Sequence, residues 1–481
     1  MTLNSASGYW QNIDQPTRLP GPPALPFVGS AFMIGNPNRF YSVMQEWIEK
    51  YGDLFHVKIG ADSYVVTTNM GLSKLLFESR PEGVERPPMI ARSFSSIDLL
   101  NNLFAAEGEN WRKQRKAIAK SLSAHNLGKA EDMIFHEVQR RLDRMDIQIK
   151  ATPEKPINFL PHSKQYSLGI ITRLVFGDDF RQTTQNDELS SELSLIFNTL
   201  ARRTVAPIQY WKWIKLPKDR AFERVKNRLR RDITERAATA LESLHNKPKD
   251  HRPDNLLDGL LMHQLAEEPE QALSEDEVFA NAVALIAAGM DTTSTTLAWA
   301  IYLLGKHTDI QTQLRLELMA ATEGTGRLAT LQGVHAQPLL EAVIWEALRL
   351  YPAAPFLIAH TTREFEFESQ KIPANTSFFF MHDQAERIAN ANSGFDPQRW
   401  LDSGELAKAV KMLPLPFGIG QRLCPGRNLS LMELKAYLAA LLCRYEWTCA
   451  GEKEPNRVYN FTLEPENMPI RFCALPSRST R

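Results

Sequence analysis

The chain has 481 residues, 43% of them hydrophobic, enough to bury a large core. Lys plus Arg and Asp plus Glu each number 56, so no net field draws the chain to nucleic acid or to an anionic membrane. Four cysteines, Cys424, Cys443, Cys449 and Cys473, lie near the C-terminus without a CxxC pair, which argues against a disulfide framework or a structural zinc site and suits a reducing cytosol.

The start, Met1 to Trp10, has neither a basic region nor an apolar run, so it reads as neither a signal peptide nor a membrane anchor. Residues 1–18 are expected to be a polar extension. The proline-rich run Leu19–Pro26 cannot be helical and is expected to cross the surface in an extended form. A helix is predicted over Phe40–Lys50, followed by a hairpin of Leu54–Ile59 and Ser63–Thr68 joined by Gly60, Ala61 and Asp62. Pro81–Asn102 has no clear period and reads as a long, partly irregular loop.

Helical texture runs from Asn110 to about Glu323. Its clearest start is Ser274-Glu-Asp-Glu277, a capping box in which serine and glutamate satisfy each other's exposed amides. The helix it opens extends to about Leu304, roughly 45 Å at 1.5 Å per residue. Its apolar stretch, Asn281–Leu304, is broken by Gly289, Asp291 and several hydroxyl residues, so it reads as a buried helix and not as a membrane span. Another helix covers Leu339–Leu350 and stops at Tyr351-Pro352. Strand-like pieces follow at Phe365–Phe367 and Thr376–Phe380, then a turn-rich section to Pro416, a helix through Leu429–Leu442 and further strands. The class is mainly α with small β-sheets (α+β), without the strand–helix alternation of a dinucleotide-binding fold.

Two segments carry chemistry. In Phe417-Gly-Ile-Gly-Gln-Arg-Leu-Cys-Pro-Gly426, glycines let the backbone turn tightly before Cys424, and Gly426 lets the next helix begin close to the sulfur. A helix N-terminus favours a thiolate and lowers its pKa, and a thiolate is a good soft ligand for iron. Arg422 suits a carboxylate or propionate. Taken alone, Cys424 is an ordinary buried cysteine in a glycine-rich turn. In Ala287-Ala-Gly-Met-Asp-Thr-Thr-Ser294, Thr292 can bond back to the Ala288 carbonyl and loosen the helix, leaving room for a ligand beside an acid and a hydroxyl. Close packing at a helix crossing would explain the same small residues equally well.

The first segment resembles F-G-x-G-x-R-x-C-x-G, the haem-ligand loop of the cytochrome P-450 family, at every fixed position. The second resembles that family's A-G-x-D/E-T-T/S step through Ala288, Gly289, Asp291, Thr292 and Thr293. Glu346 and Arg349, with Phe395-Asp-Pro-Gln-Arg-Trp400, resemble its E-x-x-R helix and F-x-P-x-R-W segment, and Trp111 with Arg115 its W-x-x-x-R segment. These motifs stand in family order from Leu19 to the C-terminus.

The resemblance implies a single haem-thiolate catalytic domain over 19–481, with haem b sandwiched between the long helix and the helix after the cysteine loop. It implies that Cys424 is the axial ligand, donating electron density that favours O–O cleavage. Phe417, Gly418, Gly426 and Ala288 would line the haem. Trp111, Arg115 and Arg422 would meet its propionates, with His360 as a further candidate. Asp291 and Thr292 would support proton delivery to dioxygen, and Glu346, Arg349 and Arg399 would form a structural network. The implied activity is insertion of one atom of O2 into a hydrophobic small molecule, by hydroxylation or epoxidation. Oxidative coupling, peroxide-driven oxidation or a non-catalytic haem gas sensor are the alternatives.

Electrons are expected from a separate ferredoxin or flavodoxin with its NAD(P)H reductase; Arg112, Lys113, Lys116, Lys120 and Arg427 read either as its basic docking face or as a solvated charged surface. The expected setting is soluble and cytoplasmic, in a bacterial-type enzyme with eukaryotic-like class motifs. By family position the substrate pocket draws on Pro81–Asn102, Ala284, Ala287, Ala288, Ala354–Ile358 and Leu463–Pro465, with Phe94 and Phe356 as walls. Trp211 and Trp213 would touch substrate or simply pack. Lipid, terpenoid, polyketide and aromatic substrates stay open.

Overall fold

The computed structural model describes residues 13–122, 127–128, 130–177, 186–206, 208–248, 251–266, 268, 270–321, 334, 336–383, 394–401 and 416–476. Its axis is the long helix Glu275–Lys306. Ser274 caps it: the serine hydroxyl accepts from the Glu277 amide at 3.2 Å, and the Glu277 carboxylate accepts from the Ser274 amide at 2.8 Å. Its 32 residues span about 48 Å. Most of its side chains are buried, because helices surround it: chiefly Phe159–Phe176, and also Pro338–Leu350 and Arg427–Arg444. One hydrophobic cluster runs continuously through these helices, from Ile34 to Phe472.

Small sheets flank the helices. Leu54–Ile59, Asp62–Thr67, Ser377–Met381, Phe356–Thr361 and Val84–Glu85 form a five-stranded sheet in that spatial order. All its pairs are antiparallel except Asp62–Thr67 with Ser377–Met381. Ile157–Asn158, Pro469–Ala474 and Tyr445–Cys449 make a three-stranded sheet, and Arg457–Asn460 pairs with Thr462–Pro465 as a hairpin.

The helix and hairpin expectations hold, with the second hairpin strand starting at Asp62 and the later strand at Ser377. Two expectations do not. The segment Pro81–Asn102 holds the strand Val84–Glu85 and a helix over Pro88–Ser95 whose Met89, Ile90 and Phe94 are buried. That helix is too short for its period to stand out from the sequence. The polar extension ends earlier than residue 18, because Ile13 and Leu19 are buried in a second apolar cluster under the sheet. The run after Leu19 is extended but packed: the His56 amide donates to the Pro20 carbonyl at 2.8 Å, and any side chain at Gly21 would strike the His56 carbonyl. Residues 1–12, and 384–393 and 402–415 of the turn-rich section, lie outside the described residues. Among the described residues no helix is long and apolar enough to cross a membrane.

Candidate active site

Cys424 stands between the short 3-10 turn Gly420–Arg422 and the helix Arg427–Arg444. Gly418 and Gly420 have φ of 76° and 68°, the left-handed region that side chains disfavour, which is why the loop needs both glycines. The Cys424 amide donates to the Phe417 carbonyl at 2.8 Å and so closes the loop. The amides of Gly426 and Arg427 bond to the sulfur, and the Arg115 guanidinium acts on it favourably. Burial nevertheless outweighs them and pushes the thiol up from its ordinary value, against the expectation that the helix start alone would lower it. Coordination to a metal removes that obstacle, because a coordinating thiol is deprotonated outright.

Beside the loop lies a cluster of buried arginines. Arg422 packs its guanidinium over the Trp111 ring, 4.7 Å from the centroid, donates to the Ala106 carbonyl at 2.8 Å and pairs with the Glu107 carboxylate. Arg80 donates to the Ile358 carbonyl at 2.7 Å, and Arg86 lies 3.8 Å over the Phe104 ring. Burial and mutual repulsion lower the pKa of each, that of Arg80 to about 10. With Arg115 that makes four cations, against the carboxylates Glu107 and Glu85 and the Cys424 sulfur, which acts on Arg115, so the cluster holds an excess of positive charge. The Nε atoms of Arg80 and Arg86, and Nε and Nη1 of Arg422, are buried without a hydrogen-bond partner among the described residues. Buried donors without acceptors cost energy, so the cluster fits a dianionic guest such as a group with two propionates.

Arg80 and Arg86 were not singled out from the sequence: Arg86 falls in the segment read as irregular and Arg80 just before it, and neither belongs to a motif. His360 lies on the strand that pairs with Glu85, and its Nδ1 stands 2.8 Å from the Ser377 hydroxyl. Its ring is therefore engaged within the sheet.

On the long helix an accessible stripe interrupts the buried surface. Ala288 is exposed and Ala284 and Thr292 half-buried, at helical spacing, whereas Ala287, Met290 and Asp291 are buried. Ala287 is thus a core residue and not a pocket wall. The Thr292 hydroxyl donates to the Ala288 carbonyl at 2.7 Å, as expected from its position. The next residue, Thr293, donates to the Ser430 hydroxyl at 3.0 Å, which fastens this point of the helix to the one that begins after Cys424. Gly289 has a packing cause: a Cβ there would stand 2.7 Å from Ile171 Cγ1, so the helix Phe159–Phe176 crosses at this glycine.

The Asp291 carboxyl is pushed up to about 6, by burial first and by Glu464 in addition, against the opposing pull of Lys164. The Lys164 ammonium lies 3.6 Å from Asp291 Oδ1 and 2.5 Å from Glu464 Oε2. Neither partner was singled out from the sequence, since each comes from a distant element.

Glu346 is fully buried and surrounded by donors. Arg349 gives it two bonds, at 2.9 Å to Oε2 and 2.7 Å to Oε1. Trp400 Nε1 donates at 2.9 Å, the Asp396 amide at 2.9 Å, and Arg399 Nε lies at 3.3 Å. The network ties the helix Pro338–Leu350 to the turn Pro397–Trp400.

The aromatic residues expected to wall a pocket fall into two separate groups. Phe94 packs at 5.5 Å from Phe104, Phe104 at 6.0 Å from Phe461, and Phe461 at 4.9 Å from Phe197. Phe461 has φ of 72°, a strained setting for a bulky residue, at the tip of its hairpin. Phe356 instead joins Phe40, Phe379 and Tyr459 against the sheet. Trp211 packs beneath Arg203, whereas Trp213 is 75% exposed. Among the cations expected to meet an electron donor, Lys113 turns inward to Glu277 at 2.9 Å, and Arg112 pairs with Glu109 and Glu82.

A family model for cytochrome P450 matches residues 19–472. Tabersonine 16-hydroxylase 1 of Catharanthus roseus is 26% identical over 454 residues, covering 90% of this chain and 87% of that protein. The mitochondrial 25-hydroxyvitamin D-1 alpha hydroxylase of Mus musculus is 26% identical over 455 residues, covering 89% of this chain and 86% of that protein. In fold, the chain is similar to the retinoic acid bound cyanobacterial CYP120A1, with a TM-score of 0.76 and 20% identity over 95% of this chain and 100% of that one. Family match, relatives and fold agree that this chain belongs to the cytochrome P450 family and is a monooxygenase that uses haem b with an axial thiolate.

Proposed function

We propose that this cytochrome P450 inserts one atom of dioxygen into a hydrophobic small molecule, by hydroxylation or epoxidation, at a haem ligated by Cys424. The observation that carries this reading is the set of buried, unpartnered guanidinium donors beside the Cys424 loop. They suit haem propionates, with Trp111, Arg115 and Arg422 joined by Arg80 and Arg86 in holding them. Phe417, Gly418 and Gly426 would lie against one face of the ring and Ala288 against the other. When bound, the haem supplies the iron at which dioxygen is activated.

The chain's own residues handle the protons and the substrate. Thr292 lies on the accessible stripe with its hydroxyl resting on the Ala288 carbonyl, free to turn toward a guest in the space the helix leaves. Asp291, with its carboxyl near 6, divides between its two protonation states close to neutral pH, where a proton carrier works best. The aromatic group Phe94, Phe104, Phe197 and Phe461 offers an apolar wall, which favours a hydrophobic substrate. The relatives described above are hydroxylases by name, in keeping with oxygen insertion. Lys116, Lys120 and Arg427 suit an acidic ferredoxin or flavodoxin fed by an NAD(P)H reductase. The free cysteines suit the reducing cytoplasm as the place of action.

Thr292→Ala tests the oxygen side. The variant is expected to consume NAD(P)H at a comparable rate while product per NAD(P)H falls about tenfold or more and peroxide appears, given the usual worth of a positioned proton donor. An unchanged product ratio would show that protons travel by another route.

A further inference from the structure

The Asp291 carboxyl is attended by a lysine that another carboxylate holds more closely. Lys164 comes from the helix Phe159–Phe176, which crosses the long helix at Gly289, and Glu464 from the strand Thr462–Pro465. The side chains of Lys164, Asp291 and Glu464 are 17%, 7% and 10% exposed, so their charges act on each other with little screening. Lys164 makes ion pairs with both carboxylates, the closer one with Glu464 at 2.5 Å and the looser one with Asp291 at 3.6 Å. Glu464 is itself fixed: its Oε1 accepts from Asn460 Nδ2 at 2.9 Å across the hairpin, and the neighbouring Leu463 amide donates to the Ala353 carbonyl at 2.8 Å. The hairpin that anchors Glu464 also carries Phe461, a member of the aromatic wall.

We propose that Lys164 and Glu464 are positioning residues for proton delivery, with Glu464 holding the ammonium in the closer ion pair so that its grip on Asp291 is loose enough for this carboxyl to take up and give up a proton. The proposal rests on the reading that Asp291 carries protons during turnover. Two carboxylates and one ammonium leave one negative charge in a buried site, and the geometry assigns the tighter ion pair to Glu464. That leaves Asp291, the carboxylate farther from the ammonium, as the proton carrier of the pair. Burial and Glu464 raise its pKa while Lys164 lowers it, in line with the distances. Among the described residues these two are the charged groups acting on Asp291.

The test uses the haem-loaded enzyme and an infrared titration of the buried carboxylic-acid band, identified by its loss in Asp291→Asn. In Glu464→Gln the ammonium is released to Asp291. The midpoint of the band is then expected to fall by about one pH unit or more, roughly a tenfold loss of protonated acid at fixed pH, with a matching drop in product per dioxygen consumed. Lys164→Met is expected to move the midpoint upward, and Lys164→Arg to restore it. A midpoint left in place by both Glu464→Gln and Lys164→Met would overturn the proposal. Full product yield from Asp291→Asn would instead overturn the reading beneath it, whatever the band does.

Discussion

Cys424→Ser is expected to abolish oxygen insertion and to remove the thiolate-type carbon monoxide spectrum of the reduced enzyme. The loop geometry explains why no neighbour should rescue it. Gly418 and Gly420 set the turn through their own backbone angles, and the Cys424 amide closes it on the Phe417 carbonyl, so a serine would sit where the sulfur was. A serine hydroxyl keeps the shape but lacks the soft, electron-donating sulfur that iron takes as a thiolate. The other cysteines give no substitute: Cys443 lies along the following helix and Cys449 and Cys473 lie in the terminal strands. The check is the carbon monoxide difference spectrum of the purified variant after haem loading. Retention of a thiolate-type spectrum would mean that another sulfur holds the iron.

Glu346→Gln is expected to cost about 3–5 kcal/mol of stability, the usual penalty for breaking a buried ion network. Glu346 gathers two arginines, an indole N–H and a backbone amide around one fully buried carboxylate. An amide cannot accept from all of them. Its own N–H groups would face donors, while Arg349 would stay buried with its charge reduced to weaker contacts. The residue touches neither Cys424 nor Asp291, so the loss should appear first as a lower urea midpoint and faster haem release. A change below about 1 kcal/mol in urea titration would show that the network contributes little.

How far the site could be read in advance follows from how local each interaction is. The cysteine loop was legible because its glycines, arginine and cysteine are consecutive and each has a backbone reason. The Thr292 bond to Ala288 was legible because it spans one helical turn, and the Ser274–Glu277 capping box for the same reason. What failed depends on distant partners. Close packing at Gly289 was one of its two readings, but its partner Ile171 on another helix was not legible, and Lys113 turns inward to Glu277. Arg80 and Arg86 gain their meaning only when the chain brings them beside Arg422, and Lys164 meets Asp291 and Glu464 only across a helix crossing and a hairpin. Phe461 meets Phe104 and Phe197 through a left-handed backbone setting that no pattern of bulky residues announces. Propensity and spacing see one element at a time, whereas these contacts are set by how elements pack.

The most direct test of the account is turnover under isotopically labelled dioxygen, with a surrogate ferredoxin, its reductase and NAD(P)H, on a hydrophobic compound that shifts the ferric spin state. One labelled oxygen atom is expected in each product molecule, dependent on the electron donor. Product oxygen drawn from water, or product formed with peroxide but not with dioxygen and electrons, would contradict it.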